Sequence, residues 1–224
     1  LFLCLPPIGR TQTPDEPAEA WTLEEVVQLL RDSPWAREKF ILIATGRMTR
    51  YPVLLGRRRE PGDLAPERLP AVYLVRWESA QPVAWAFARL ADLGENALAE
   101  FLARPPPEVA ELEADHYIVT VRATEPPPPP ARDLFAGFER AELETRAELK
   151  TPRGTIVKAA RVLRSGFGAT AALHFCFPRQ VNDSALIAPG DDWVEFSFSG
   201  HNNTTLRVKF RKEALPPSAG LPQP

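Results

Sequence analysis

A chain of 224 residues is long enough for one domain, or two small ones, around a buried core. Its 44% hydrophobic content offsets chain entropy and excludes a globally disordered polymer. A net charge of −2 gives no electrostatic ground for a nucleic-acid or acidic-membrane partner, and two cysteines, Cys4 and Cys176, exclude a disulfide framework.

The chain starts with an apolar run, Leu1 to Leu5, followed by the Pro-containing polar stretch Pro6 to Pro17. This pattern reads as a signal-peptide remnant or flexible N-terminus over residues 1–20, with Ala18-Glu19-Ala20 in the small-x-small form of a cleavage site. Export to the periplasm or secretion is the location it implies; a cytoplasmic location is the alternative. No run approaches the roughly 20 apolar residues of a membrane helix, so no integral membrane span is expected.

Thr22 then caps a helix carrying Leu23, Val26, Val27, Leu29 and Leu30, with Glu25 completing a capping box. Pro34 stops it. Phe40 to Thr45 is β-rich, and Arg47, Arg50, Arg57, Arg58 and Arg59 among glycines read as a solvated loop beside the apolar patch Val53 to Leu55. Pro70 to Glu78 predicts a strand with both faces covered. Ser79 is placed to cap the next helix, which has Pro82 in its first turn and ends near Gly94. A shorter helix from Ala97 to Ala103 stops at Pro105 to Pro107, and His116 to Arg122 is another strand.

Pro126 to Pro130 predicts a stiff polyproline linker about 15 Å long at ~3.1 Å per residue. It divides a mixed α/β region, 21–125, from a region at 131–215 whose apolar residues recur every second position. The alternation runs through Leu143, Thr145, Ala147 and Leu149, then a strand from Ile156 to Leu163. A third strand carries Leu173, Phe175 and Phe177, and a final pair carries Val194, Phe196, Phe198 and Leu206, Val208, Phe210. The expected fold is α+β, its second half an antiparallel β-sheet region, sandwich-like or an open barrel. Residues 216–224, rich in Pro and Gly, read as a disordered tail.

Candidate chemistry is sparse. His174 and Cys176, two apart on one strand, share a face and supply half a metal site or a thiol–imidazole pair for a hydrolase; a packed core pair is the structural alternative. Asp191 and Asp192 follow Pro189-Gly190, where carboxylates serve either a ligand or the turn itself. Trp77 and Glu78 end a buried strand where α/β folds place ligand pockets, packing by Trp77 and a solvated Glu78 being the alternative. Asp115 and His116 point to opposite faces and form no dyad. No nucleophile elbow, phosphate loop or dinucleotide fingerprint occurs, and no cofactor is implied.

Val75-Arg76-Trp77-Glu78-Ser79-Ala80 followed by Pro82-Val83, and Phe175-Cys176-Phe177-Pro178-Arg179 ahead of Val194-Glu195-Phe196, resemble uncharacterised small exported proteins of soil bacteria. The resemblance implies a bacterial, exported protein and transfers no activity. The first expectation is therefore a non-catalytic binding or structural module of the cell envelope, partnered by another envelope protein. A metal-assisted or thiol-dependent hydrolase and an intracellular small-ligand-binding domain are the alternatives.

Overall fold

A strand that alternates large apolar and polar side chains has one face that water excludes, and two such sheets bury those faces against each other. The computed structural model, which describes residues 17–50, 64–102, 104–126, 134–166, 171–201 and 204–211, is built on that principle.

Helix α1, Leu23–Arg31, starts as its sequence predicts: the Glu25 amide donates to Thr22 Oγ1 at 3.3 Å and the Thr22 amide to Glu25 Oε2 at 2.9 Å. Strands β1, Ala36–Arg50, and β2, Leu64–Trp77, form a long antiparallel hairpin, more extended than the β-rich runs alone indicated. Helix α2, Gln81–Asp92, has Pro82 in its first turn and closes at Gly94, whose φ of 77° favours glycine. Its N-cap is Ala80, not Ser79. The Ser79 hydroxyl instead accepts the Ile118 amide at 3.1 Å and pins α2 to the sheet.

Helices α3, Asn96–Phe101, and α4, Pro107–Ala110, lead into β3, His116–Glu125. The proline triplet expected only to stop a helix therefore also starts one, since Pro107 at the first helical position loses no needed donor.

Two expectations for the second half fail locally. The alternation through Leu143 predicted a strand, yet α5, Arg140–Arg146, is a helix. It is capped by reciprocal Glu139–Glu142 contacts and braced by an Arg140–Glu144 ion pair at 3.1 Å, so local capping overrides a period-two pattern that only Leu143 could serve. The run from Ile156 to Leu163 is not one strand. After β4, Ala147–Lys150, it splits into β5, Ile156–Lys158, and β6, Arg161–Ser165, at a corner where the Ala159 amide donates to Ala147 O and the Ala160 amide to Cys176 O. The chain then continues through β7, Ala172–Pro178, a small hairpin of β8, Gln180–Val181, and β9, Ser184–Ala185, and the long pair β10, Trp193–Ser199, and β11, Thr205–Arg211.

Among the described residues the strands form two open antiparallel sheets, ordered β1-β2-β3-β7-β6 and β11-β10-β4-β5, beside the β8–β9 ribbon. The fold is thus α+β and sandwich-like, and neither sheet closes into a barrel. β3 and β7, from either side of the proline run, are direct neighbours. Of that run only Pro126 lies within the described residues; the rod itself, residues 1–16, Val53 to Leu55, Arg57 to Arg59 and the tail lie outside them. No helix among the described residues is long and apolar enough to cross a membrane.

Tyr73, Val75 and Trp77 of β2, Val119 and Val121 of β3, and Phe175 and Phe177 of β7 face the second sheet's Phe196, Phe198 and Phe210. Phe175 meets Phe196 and Phe198 at centroid distances of 5.4 and 5.8 Å, and Trp77 meets Phe210 at 5.3 Å. Phe198→Ala opens a cavity at this seam and should cost about 3–5 kcal/mol in equilibrium urea unfolding. A loss below about 1 kcal/mol would show that the two sheets do not share this core.

Candidate functional site

The other face of the five-stranded sheet is also buried, and it is polar. Directly opposed residues on antiparallel strands point to the same side, and the register places Arg76, Thr120 and His174 in one row across β2, β3 and β7. Helices cover this row: the Arg76 guanidinium lies 4.7 Å from the centroid of the Phe87 ring of α2 and donates to Leu102 O at 2.9 Å. Val109 of α4 packs with Ile118 and Cys176 on the same side.

His174 is fully buried with both ring nitrogens engaged. Nδ1 lies 2.8 Å from Thr120 Oγ1 and Nε2 lies 2.7 Å from Ser165 Oγ. Burial, and secondarily the positive charge of Arg76, lowers its pKa to about 4, so the ring is neutral at neutral pH. One hydroxyl must then accept from the ring and the other donate to it.

Arg76 is held by a forked ion pair, Nε to Glu78 Oε2 at 2.9 Å and Nη2 to Oε1 at 3.2 Å, both side chains about 1% exposed. The Glu78 amide donates to Ile118 O at 2.8 Å, which fixes the carboxylate over β3. Burial and then the Glu78 charge raise the pKa of nearby Glu113. Arg122, in the next row of β3, has its pKa lowered by burial and then by Arg76 and Arg31. A cleft of about 280 Å³ opens at the adjoining ends of β3 and β7, lined in part by Arg122, Phe135, Arg164 and Ala172.

Cys176 shares a face with His174 as its spacing required, but the thiol donates weakly to His174 O at 3.9 Å, while hydroxyls take both ring nitrogens. Burial pushes the thiol pKa up to about 11, leaving little thiolate at neutral pH. Among the described residues no group of three or more His, Cys, Asp or Glu is placed to hold a metal ion.

Trp77 and Glu78 do not line a common pocket. Trp77 turns into the sandwich between Tyr117 and Phe210, while Glu78 is buried on the opposite side with Arg76 and is not solvated. Asp191 is buried and locks its turn, accepting the Ala188 amide at 2.8 Å and Arg153 Nε at 3.2 Å; Asp192 beside it is exposed. His201 stacks on Phe138 with centroids 4.0 Å apart and donates from Nε2 to Ala136 O. His116 Nδ1 is buried without a hydrogen-bond partner among the described residues.

The polar layer thus joins two residues singled out in the sequence, His174 and Glu78, to three that were not: Arg76, Thr120 and Ser165. Arg76 carried a readable signal. A charge inside a strand covered on both faces needs a buried counter-charge, and Glu78, two residues on, shares its face.

No protein-family model, curated protein or solved structure matches the chain.

Two outcomes follow from the layer. In the unfolded chain His174 titrates near pH 6.5, and in the folded chain near 4, so the unfolded state binds more protons across that window. Stability should therefore be full above pH 6.5 and fall as pH drops towards 4, by up to about 3 kcal/mol from this residue. Urea unfolding across pH 4–7 checks it, and His174→Gln should flatten the slope; an unchanged slope would remove His174 as its source. Glu78→Ala, which strands a buried guanidinium, should cost about 3–5 kcal/mol, while Arg76→Met/Glu78→Met should recover much of the loss. A double variant no more stable than Glu78→Ala would show that more than the lost counter-charge is at stake.

Proposed function

We propose that this chain is a non-catalytic binding module of the bacterial cell envelope that engages a protein partner by strand addition along β1. The observation that carries the reading is the shape of the first hairpin. Pairing of β2 with β3 ends at Val72 and Glu125, yet β1 and β2 continue together to Arg50 and Leu64. A two-stranded arm therefore runs on past its neighbour, with β1 at one of the sheet's two edges.

Two large apolar side chains of β1 near the base of this arm are exposed, beside the exposed charges Arg37, Glu38 and Lys39. Phe40 opposes Val72 and Leu42 opposes Pro70 on one face, with Phe40 64% and Leu42 46% exposed. An edge strand offers a row of backbone donors and acceptors, and alternate apolar side chains give such a row specificity for an extended partner. The interior gives complementary support, because His174, Glu78 and Asp191 are each engaged in holding structure. The envelope location and the kinship with exported proteins of soil bacteria belong to the same proposal and rest on the sequence.

One observation favours a hydrolase instead. Ser165 Oγ, His174 Nε2, His174 Nδ1 and Thr120 Oγ1 have the connectivity of a nucleophile, its base and an orienting group, with Ser165 replacing the expected Cys176. Against it, a pKa of about 4 makes His174 a weak proton acceptor at neutral pH, and Thr120 brings no negative charge to stabilise an imidazolium.

The two readings separate cleanly. A photo-crosslinking benzoyl-phenylalanine at position 40, in the cells that make the protein, should give a discrete adduct, and one at exposed Ile156 of β5 should not. Phe40→Ala should leave stability within about 0.5 kcal/mol, as for an exposed side chain. Absence of any adduct at position 40 would defeat strand addition. Stoichiometric fluorophosphonate labelling of Ser165, lost in Ser165→Ala, would replace the binding reading with the hydrolase.

A further inference from the structure

Resting on the strand-addition reading, we infer that the partner at β1 is a second copy of this chain, paired antiparallel about a twofold axis at Ile41. The free stretch of edge is bounded at both ends. At Ala36 the outer groups are already taken, since the Ser33 amide donates to Ala36 O at 3.0 Å and the Ala36 amide to Ser33 O at 3.2 Å. At the other end the β1–β2 register becomes irregular between Ala44 and Met48. Among the described residues nothing pairs with the outer edge between these limits.

Within that window symmetry and charge select the register. A twofold axis perpendicular to the sheet preserves faces, so it must pass through a residue and not between two. An axis at Arg37, Glu38 or Lys39 sets a like charge against itself, which destabilises a cross-strand pair. An axis at Phe40 places the carboxylate of Glu38 opposite Leu42. An axis at Leu42 sets Arg37 against Arg47, one at Ile43 sets Lys39 against Arg47, and one at Ala44 places Leu42 opposite Gly46.

The axis at Ile41 opposes no like charges and sets the two exposed apolar side chains of each copy against each other. It places Phe40 of each copy opposite Leu42 of the other, Lys39 opposite Ile43, Glu38 opposite Ala44 and Arg37 opposite Thr45. The Phe40, Leu42, Pro70 and Val72 patches of the two copies then join into one apolar stripe. Arg37 and Glu38 keep their ion pairs with Asp32 and Arg31, at 2.9 and 2.7 Å, within their own copy. The product is a single sheet continuous across the dimer, which covers the edge that each copy leaves open.

Sedimentation-velocity ultracentrifugation of the full chain tests this. The expected result is a reversible dimer. Phe40→Glu should weaken it at least about tenfold, by burying two symmetry-related carboxylates against Leu42. Phe40→Glu/Leu42→Lys should restore it, because the axis at Ile41 alone sets each new carboxylate opposite a new ammonium. Both positions are exposed, so unchanged thermal melts identify folded variants.

A wild-type monomer at every concentration up to about 1 mM would overturn self-pairing. Strand addition would then survive only if the position-40 crosslink joins a chain of different mass. A dimer indifferent to Phe40→Glu, or one that the double variant fails to restore, would overturn this interface and register.

Discussion

A guanidinium leaves water only when a counter-charge goes with it, and Arg76 sits in the middle of a sheet covered on both sides. Glu78 meets that demand from the same face of the same strand, and the rest of the layer follows from where this pair must lie. Leu102 O takes a third donor and draws the end of α3 onto the sheet, and Phe87 covers the cation from α2. His174, in the same cross-strand row, stays neutral beside this charge and closes on two hydroxyls. A charged residue near the end of a buried strand thus goes together with the placement of two helices and the neutral state of a histidine.

The two faces of the five-stranded sheet divide the work. One is an aromatic seam, whose rings meet at edges and tilts and set the sheet spacing by shape. The other is a hydrogen-bonded plate that tolerates little sliding, because His174 and Arg76 are each held by several well-placed partners. With so much interior committed to rigidity, the proposed interaction is placed at the margin of the sheet. There β1 and β2 run on together past β3, and β1 carries Phe40 and Leu42 outward.

Much of this was legible from residue order. The capping box at Thr22 and Glu25, the doubly covered strand ending at Trp77 and the final hairpin each carry a strong local signature that the structure keeps. Misreadings arose where local and non-local forces compete. Leu143 to Leu149 alternates like a strand, but reciprocal glutamates and an Arg140–Glu144 pair make its first half helical. Ile156 to Leu163 is uniformly β-forming, and nothing within it marks the corner at Ala159; that corner exists because Cys176 and Ala147, distant in sequence, accept its amides. The site was half visible for the same reason. His174 is conspicuous alone, whereas Thr120 and Ser165 become its partners only through the pairing of β3, β7 and β6.

That pairing also has a consequence for how the molecule is born. Thr120 and His174, neighbours at the heart of the sheet, are 54 residues apart, so a ribosome must release β7 long after β3. Until then β3 waits with an unpaired flank and Tyr117, Val119 and Val121 uncovered, the state in which nascent chains pair with the wrong strand. Closing this long loop costs more chain entropy than closing any hairpin of the fold, which favours hairpins forming before β3 meets β7.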